Sequence, residues 1–281
     1  MNSSLLLSIV TFVYGTAAFF YIASWVFRKP GFGKAATWVS LAGLIVNTAG
    51  IGLRWIESYQ LGIGHAPLSN LYESLVFYSW CIILLYLVVE KKYGSRIIGA
   101  FTTPMAFLAM AYASLSPNIS DRIQPLLPAL KSNWLIAHVI TCFIGYAAFG
   151  MALGISIMYL LKDRDSGNSN SLITRFPDIH ILDELNHQMI MFGFLFLTAG
   201  IITGSVWANS AWGRYWGWDP KETWSLITWF IYATMLHARL MRGWHGKRIA
   251  FLSIAGFAAV MFTYLGVNLL PGLHSYGAMG Q

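Results

Sequence analysis

The stretch Trp207-Ala-Asn-Ser-Ala-Trp-Gly-Arg-Tyr-Trp-Gly-Trp-Asp-Pro-Lys-Glu-Thr-Trp224 decides how this chain is read. It holds five of the twelve tryptophans, together with Tyr215, and an apolar run long enough to cross a bilayer lies on either side. A loop outside the hydrocarbon gains little from so many rings unless it covers something flat and apolar. Tryptophan supplies wide, rigid contact area at low rotamer cost, which suits a platform for a planar ligand. Trp207, Trp212, Tyr215, Trp216, Trp218 and Trp224 are the candidate platform, with Asp219 shaping the turn before Pro220. Arg214 and Lys221 stand among the rings as charges for an anionic ligand edge. An interfacial aromatic belt is the alternative, but a belt scatters one or two rings per helix end. It does not need Gly213, Gly217 and Pro220 to bend the chain between them.

Composition gives the setting. Charged residues are 10% and apolar residues 57% of 281, values of a polytopic membrane protein. At about 20 residues per crossing, eight apolar stretches read as spans. They lie near 5–27, 36–56, 71–90, 96–115, 133–161, 188–207, 223–241 and 248–270. The fold class is therefore all-α, with about eight transmembrane helices. No lysine or arginine precedes the first span and no small-residue cleavage site follows it, so it reads as a span and not as a signal peptide.

Basic residues sort by side. Thirteen of the eighteen fall on one side: Arg28, Lys29, Lys34, Lys91, Lys92, Arg96, Lys162, Arg164, Arg175, Arg239, Arg242, Lys247 and Arg248. Arg54, Arg122, Lys131, Arg214 and Lys221 fall on the other. Both termini and the tryptophan-rich loop 207–224 are thus expected outside. The net charge of +7 is a topology signal, and no nucleic-acid partner is needed to explain it. Cys81 and Cys142 fall inside different spans with no Cys-x-x-Cys pair, so both read as core.

The chain shows no repeat and no separate soluble domain, so 1–281 reads as one integral-membrane domain. Its longest inner loop ends in an amphipathic segment, about 172–187, limited by Pro177. The outer loops 57–70 and 116–132, with their prolines, read as ordered turns.

Depth sorts the seven histidines. His138 lies roughly 6 Å below the outer end of the fifth span, and His274 sits at the outer end of the last. Two imidazoles at similar depth, on the side of the tryptophan-rich loop, suit a planar iron macrocycle ligated on both faces. His237 lies roughly 22 Å in from the outer end of the seventh span, where an ionisable residue marks a functional hypothesis. A structural role near the inner interface is equally open for it. His65, His180, His187 and His245 read as solvated loop or surface residues.

These elements resemble the CcsA (ResC) family of System II cytochrome c biogenesis, in the haem-handling superfamily named for its tryptophan-rich WWD loop. The matching segments are 67–74, 132–138, 182–185, 200–208, 212–224 and 272–277, and they span nearly the whole chain. The CcmC protein of System I shares the Trp-x-Trp-Asp core but not the continuation Pro-Lys-Glu-Thr-Trp. The resemblance implies haem b as cargo. It implies His138 and His274 as outer axial ligands and His237 as a transmembrane ligand whose second histidine comes from a CcsB (ResB)-like partner.

The implied function is delivery of haem across the membrane and its covalent attachment to the Cys-x-x-Cys-His of an apocytochrome c, within a haem-lyase (cytochrome c synthase) complex. The alternatives are a haem transporter or chaperone without synthase role, and a membrane electron-transfer cytochrome with permanent bis-histidine haem. The implied location is the bacterial cytoplasmic membrane with the loop on the periplasmic side, or a thylakoid membrane.

Overall fold

The computed structural model describes residues 2–165 and 171–272, and among these every regular element is helical. The order is α1 (Ser3–Phe27), α2 (Pro30–Gln60), α3 (Leu71–Tyr93), α4 (Gly99–Leu115), α5 (Asn133–Arg164), α6 (Ile179–Trp212), α7 (Pro220–Arg242) and α8 (Lys247–Tyr264), with three short 3-10 turns. All eight expected spans are helices. Seven are long and apolar enough to cross a membrane. The eighth, α7, has 23 residues but carries Lys221, Glu222, His237, Arg239 and Arg242, which lower its apolarity. Helices are what hydrocarbon demands, because each backbone N–H and C=O must be satisfied within its own segment.

The chain divides into two compact units, residues 1–131 with 164–178, and residues 132–163 with 179–281. In the first, α1 to α4 pack closely because small residues of α2 let its neighbours in. A Cβ on Gly43 would lie 2.6 Å from the Tyr14 ring, and one on Gly50 would lie 2.6 Å from Leu7. Between membrane helices this close packing supplies the association energy that water exclusion supplies elsewhere.

Two polar knots close the unit. Arg54 and Glu73 form a buried ion pair at 2.8 Å, with side chains 2% and 0% exposed. Asp121 O accepts from Arg54, and Ser69 donates to Glu73 through both N and Oγ. At the other end Glu90 accepts from Tyr21, Tyr86, Thr37 and Arg96. Each carboxylate thus has enough donors to offset its desolvation.

His65, expected to be solvated, is instead buried at 6% exposure. Its ring nitrogens face Ala66 O at 2.8 Å and Gln124 O at 3.1 Å, and Ser58 Oγ bonds its backbone on both sides. The ring pins the first long loop to the second, a pairing that loop composition does not reveal.

The segment 172–187 divides at Pro177. Leu172–Arg175 form a 3-10 turn, Phe176 is extended (ψ 151), and a new helix starts at Ile179. The residue before a proline is pushed out of the helical region, which accounts for the break. Phe176 is buried against Trp25 and Phe101, and Arg175 bonds the last carbonyls of α1, so the first half belongs to the first unit. The second half is the opening of α6.

In the second unit α5 and α6 have 32 and 34 residues, or roughly 50 Å each, well beyond the hydrocarbon thickness. They approach within backbone contact: a Cβ on Gly145 would lie 3.0 Å from Gly193 O. Tyr232 of α7 stacks on Phe149 of α5 at 3.6 Å. Arg239 then ties α7 to Asp183 of α6 at 2.8 Å, and Asp183 also accepts from Gly246 N.

The Arg54–Glu73 pair gives a direct check of this packing. Glu73→Ala strands a buried guanidinium and is expected to cost about 3–5 kcal/mol, whereas Arg96→Ala, at a guanidinium 40% exposed, should cost far less. Thermal unfolding in detergent measures both. An unchanged midpoint for Glu73→Ala would contradict the buried pair.

Candidate functional site

His138 occupies the second turn of α5, where its ring turns toward α6. The α6 surface it meets consists of Gly200, Gly204 and Trp207, which share one face through their i, i+4, i+7 spacing. Nδ1 lies 2.7 Å from Gly200 O. Only an N–H can pair with a carbonyl oxygen, so this contact places the proton on Nδ1 and leaves Nε2 with its lone pair. A Cβ on Gly204 would sit 2.5 Å from Nδ1, so the ring occupies space that only glycine leaves open. Trp207 lies nearly parallel to the imidazole, at 6.1 Å between centroids and 13° between planes. Cys142 follows one turn later with its Sγ 3.6 Å from Nδ1.

The segment read as one long aromatic loop is mostly helix ends. α6 continues to Trp212 and α7 begins at Pro220, which leaves Gly213–Asp219 as the turn. Gly213 takes φ +73, open to glycine without strain. Asp219 caps α7 by accepting from Lys221 N at 3.0 Å, and Glu222 completes a capping box. Glu222 Oε2 also reaches back to Gly217 N at 2.7 Å and Asp219 N at 3.1 Å. Between those two amides Trp218 is held at φ +56, a conformation that costs a non-glycine residue about 1–3 kcal/mol. Trp-Asp-Pro-Lys-Glu is thus a helix start whose carboxylates clamp the turn and turn the Trp218 ring outward.

The rings take different places. Trp218 and Tyr215 are 68% and 59% exposed. Trp216 stands edge-on to Trp218 at 5.7 Å, and its indole N–H is buried with no partner. Trp207 is 3% exposed and braces His138, while Trp212 meets it edge-on at 4.9 Å. Trp224 packs on Phe262 at 4.2 Å.

The two candidate cations also differ. Lys221 Nζ donates to Asn268 Oδ1 at 3.2 Å. Arg214 is exposed and lies across Gly217, where a Cβ would come within 2.6 Å of its Nε. The structure therefore brings His138 and Trp207 together, ties Lys221 to Asn268, and leaves Arg214 on the outer surface of the turn.

His237 stands apart. It is exposed on α7, on the same face as Ile227, Phe230 and Met241. Two residues on, Arg239 points to the other side and pairs with Asp183. His180 and His245 are exposed as expected, and His245 Nδ1 lies 3.4 Å from Asp183. His187 is half-buried, with a buried Nδ1 that has no partner. His274 lies outside the described residues.

Residue-by-residue reading missed the packing role of Gly200 and Gly204, the capping role of Glu222, and Asn268. The Gly-x-x-x-Gly spacing of 200 and 204 was a visible sign of close helix approach, and Asp-x-x-Glu at 219–222 was a visible capping box. Asn268 had no such signal.

Comparison with known proteins sets this geometry in a family. The family described as Cytochrome C assembly protein matches residues 68–274. The cytochrome c biogenesis protein CcsA of Porphyra purpurea is 40% identical over 96% of this chain and 97% of its own length. That of Parasynechococcus marenigrum (strain WH8102) is 43% identical over 85% of each. Among solved structures, the cytochrome c heme lyase CcmF superposes with a TM-score of 0.71 at 17% identity, covering 97% of this chain. This chain spans about half (48%) of that one, and the likeness is one of fold alone. With a matched region that includes the tryptophan-rich turn, and relatives similar along nearly their full length, the chain belongs to the CcsA family of cytochrome c assembly proteins.

Proposed function

We propose that this protein carries haem b from the inner side of the membrane and holds it at an outer site beside the tryptophan-rich turn. There haem is joined to the Cys-x-x-Cys-His of an apocytochrome c. The observation that supports this most is the state of His138: Nδ1 is committed to a backbone carbonyl, and Nε2 is left as a lone-pair donor. That is the arrangement a haem-ligating imidazole requires. The glycine-lined recess and the Trp207 brace fit the same role. Cytochrome c biogenesis is also the role for which the CcsA relatives are named.

In this reading His138 and His274 are the outer axial ligands. Tyr215, Trp216 and Trp218 line the haem, and Lys221, less exposed than Arg214 and held by Asn268, meets a propionate. Each attachment step adds a substrate thiol across a vinyl group, with sulfur bonding to the inner vinyl carbon and hydrogen to the outer one. The thiols come from the substrate, so this chain contributes orientation and effective concentration. His237 ligates haem on its way from the inner side. Its exposed position on α7 calls for a second ligand from outside this chain, the role we assign to a CcsB (ResB)-like partner. The basic-residue asymmetry supports both termini and the tryptophan-rich turn lying outside, in the periplasm or thylakoid lumen.

Three outcomes follow. His138→Ala and His274→Ala should each abolish maturation of a Cys-x-x-Cys-His reporter, and added imidazole should partly restore it. Full activity in either variant would refute the ligand assignment. Lys221→Ala should weaken haem binding about tenfold, the worth of one charge-assisted hydrogen bond, while Arg214→Ala changes it little. Haem titration of the purified complex measures both, and equal losses would refute the placement of the propionate. His237→Ala should lower the haem-to-protein ratio of the complex with its partner, as should His237→Asn and His237→Gln. Wild-type haem content in all three would mean that His237 only places a polar group at the interface.

A further inference from the structure

At the end of the second unit opposite the tryptophan-rich turn, Tyr159, His180, Asp183, His245 and Lys247 line an open pocket of about 340 Å³. At its centre is a carboxylate held from several directions. Asp183 lies 2.8 Å from Arg239 Nη1, accepts from Gly246 N at 2.7 Å, and faces His245 Nδ1 at 3.4 Å. The side chains of Asp183 and Arg239 are 15% and 7% exposed, whereas that of His245 is 59% exposed. Arg239 already balances the charge of Asp183, so the fold does not need His245 for neutrality. What the pair does is orient an exposed ring against a fixed acceptor. An imidazole that turns Nδ1–H to a carboxylate keeps Nε2 as a lone pair, the arrangement common among histidines that bind metals.

The turn that carries His245 is fixed by its backbone. Gly243 and Gly246 take φ +64 and +63, and a Cβ on Gly246 would collide with the Tyr159 hydroxyl. Directly afterwards α8 starts on Lys247 and Arg248, with no acidic residue in its first turn and no side-chain cap. Cations at a helix N-terminus oppose its dipole, so a bound anion offsets both. Lys247 Nζ pairs with Asp163 at 2.7 Å, is 56% exposed, and has further N–H donors to give. A ligand suited to this pocket therefore combines a metal for the imidazole with an anionic edge for the ammonium.

Resting on the function proposed above, we infer that this pocket is the site where haem first lands, with His245 Nε2 on the iron and Lys247 on a propionate. The step is ligation alone: an Fe–N bond forms as water leaves the iron, and no electron moves. A pocket of about 340 Å³ is at the small end of ligand sites, so it grips one edge of the macrocycle and leaves the rest free for onward transfer. In the chain, His237 lies five residues, or roughly 8 Å, before the end of α7 at Arg242. Leu240 and Met241, 73% and 72% exposed, stand between it and the His245 turn.

The test first removes the other ligands of this chain. A complex carrying His138→Ala and His237→Ala is titrated with ferric haem, with and without His245→Ala. The inference expects residual haem with a single-imidazole spectrum, lost when His245 is also replaced. No residual haem, or residual haem indifferent to His245→Ala, overturns it. Wild-type haem content and spectrum in the His138→Ala, His237→Ala complex would instead mean that the proposed function fails, an outcome distinct from the other two.

Loading rates in the otherwise wild-type complex provide a second check at unchanged protein yield. His245→Ala should slow haem uptake without lowering the final haem content, and imidazole added to His245→Gly should restore the rate. Lys247→Gln should weaken the landing step about tenfold, the worth of one charge-assisted hydrogen bond, and should have no such effect on haem whose propionates are esterified. Equal uptake rates in wild type and both variants would overturn the inference and leave the phosphate of an anionic lipid as the anion that this pocket takes.

Discussion

The close approach of α5 and α6 is the constraint on which the second unit depends. Helices in hydrocarbon gain nothing from hiding apolar surface against lipid, so they are held by contact and by hydrogen bonds. Here Gly145 meets the backbone at Gly193, Phe149 fills the space above Gly193, and Cys142 and His138 enter the spaces left by Gly200 and Gly204. The same row of missing side chains that lets the helices touch also creates the recess that holds an imidazole. Helix packing and the placement of the His138 ring are thus one feature of the sequence. A single methyl on α6 would disturb both.

The tryptophan-rich turn shows a different economy. Its carboxylates are occupied by the chain itself: Asp219 caps α7, and Glu222 binds two backbone amides around Trp218. Their work is to hold Trp218 in a left-handed conformation that its side chain disfavours, with Pro220 and the capping box fixing where the helix starts. Strain held this way keeps exposed rings at a set angle, which a flexible loop would not. Polar groups distant from this turn are likewise structural: Arg239 and Asp183 fix the rotation of α7, and with it the outward face that carries His237.

Most of the fold was legible in the sequence because the membrane simplifies the problem. Apolar runs of spanning length mark helices directly, and the expected 71–90 and 133–161 became Leu71–Tyr93 and Asn133–Arg164. What hydropathy could not see was where helices continue beyond the hydrocarbon. α6 extends to Trp212, and so a long aromatic loop became a seven-residue turn. The last helix, expected to reach residue 270, stops at Tyr264 and gives way to a 3-10 turn at Gly266–Leu269. His65 looked like a loop residue because its partner Gln124 O is a backbone atom far along the chain, and backbone acceptors leave no mark in composition. His138 stood out by its depth and its neighbours. The proton on its Nδ1, which decides what the ring can do, depends on a carbonyl 62 residues away.

The central claim is that His138 offers Nε2 to haem iron while Nδ1 remains bonded to Gly200 O. The most direct measurement is a structure of the haem-loaded complex with its CcsB-like partner, at a resolution that orients the imidazole ring. The account predicts iron on His138 Nε2, with the Nδ1–Gly200 contact unchanged and the haem edge beside Lys221. Iron held by other side chains, or a His138 ring turned away from Gly200 in the loaded state, would contradict it.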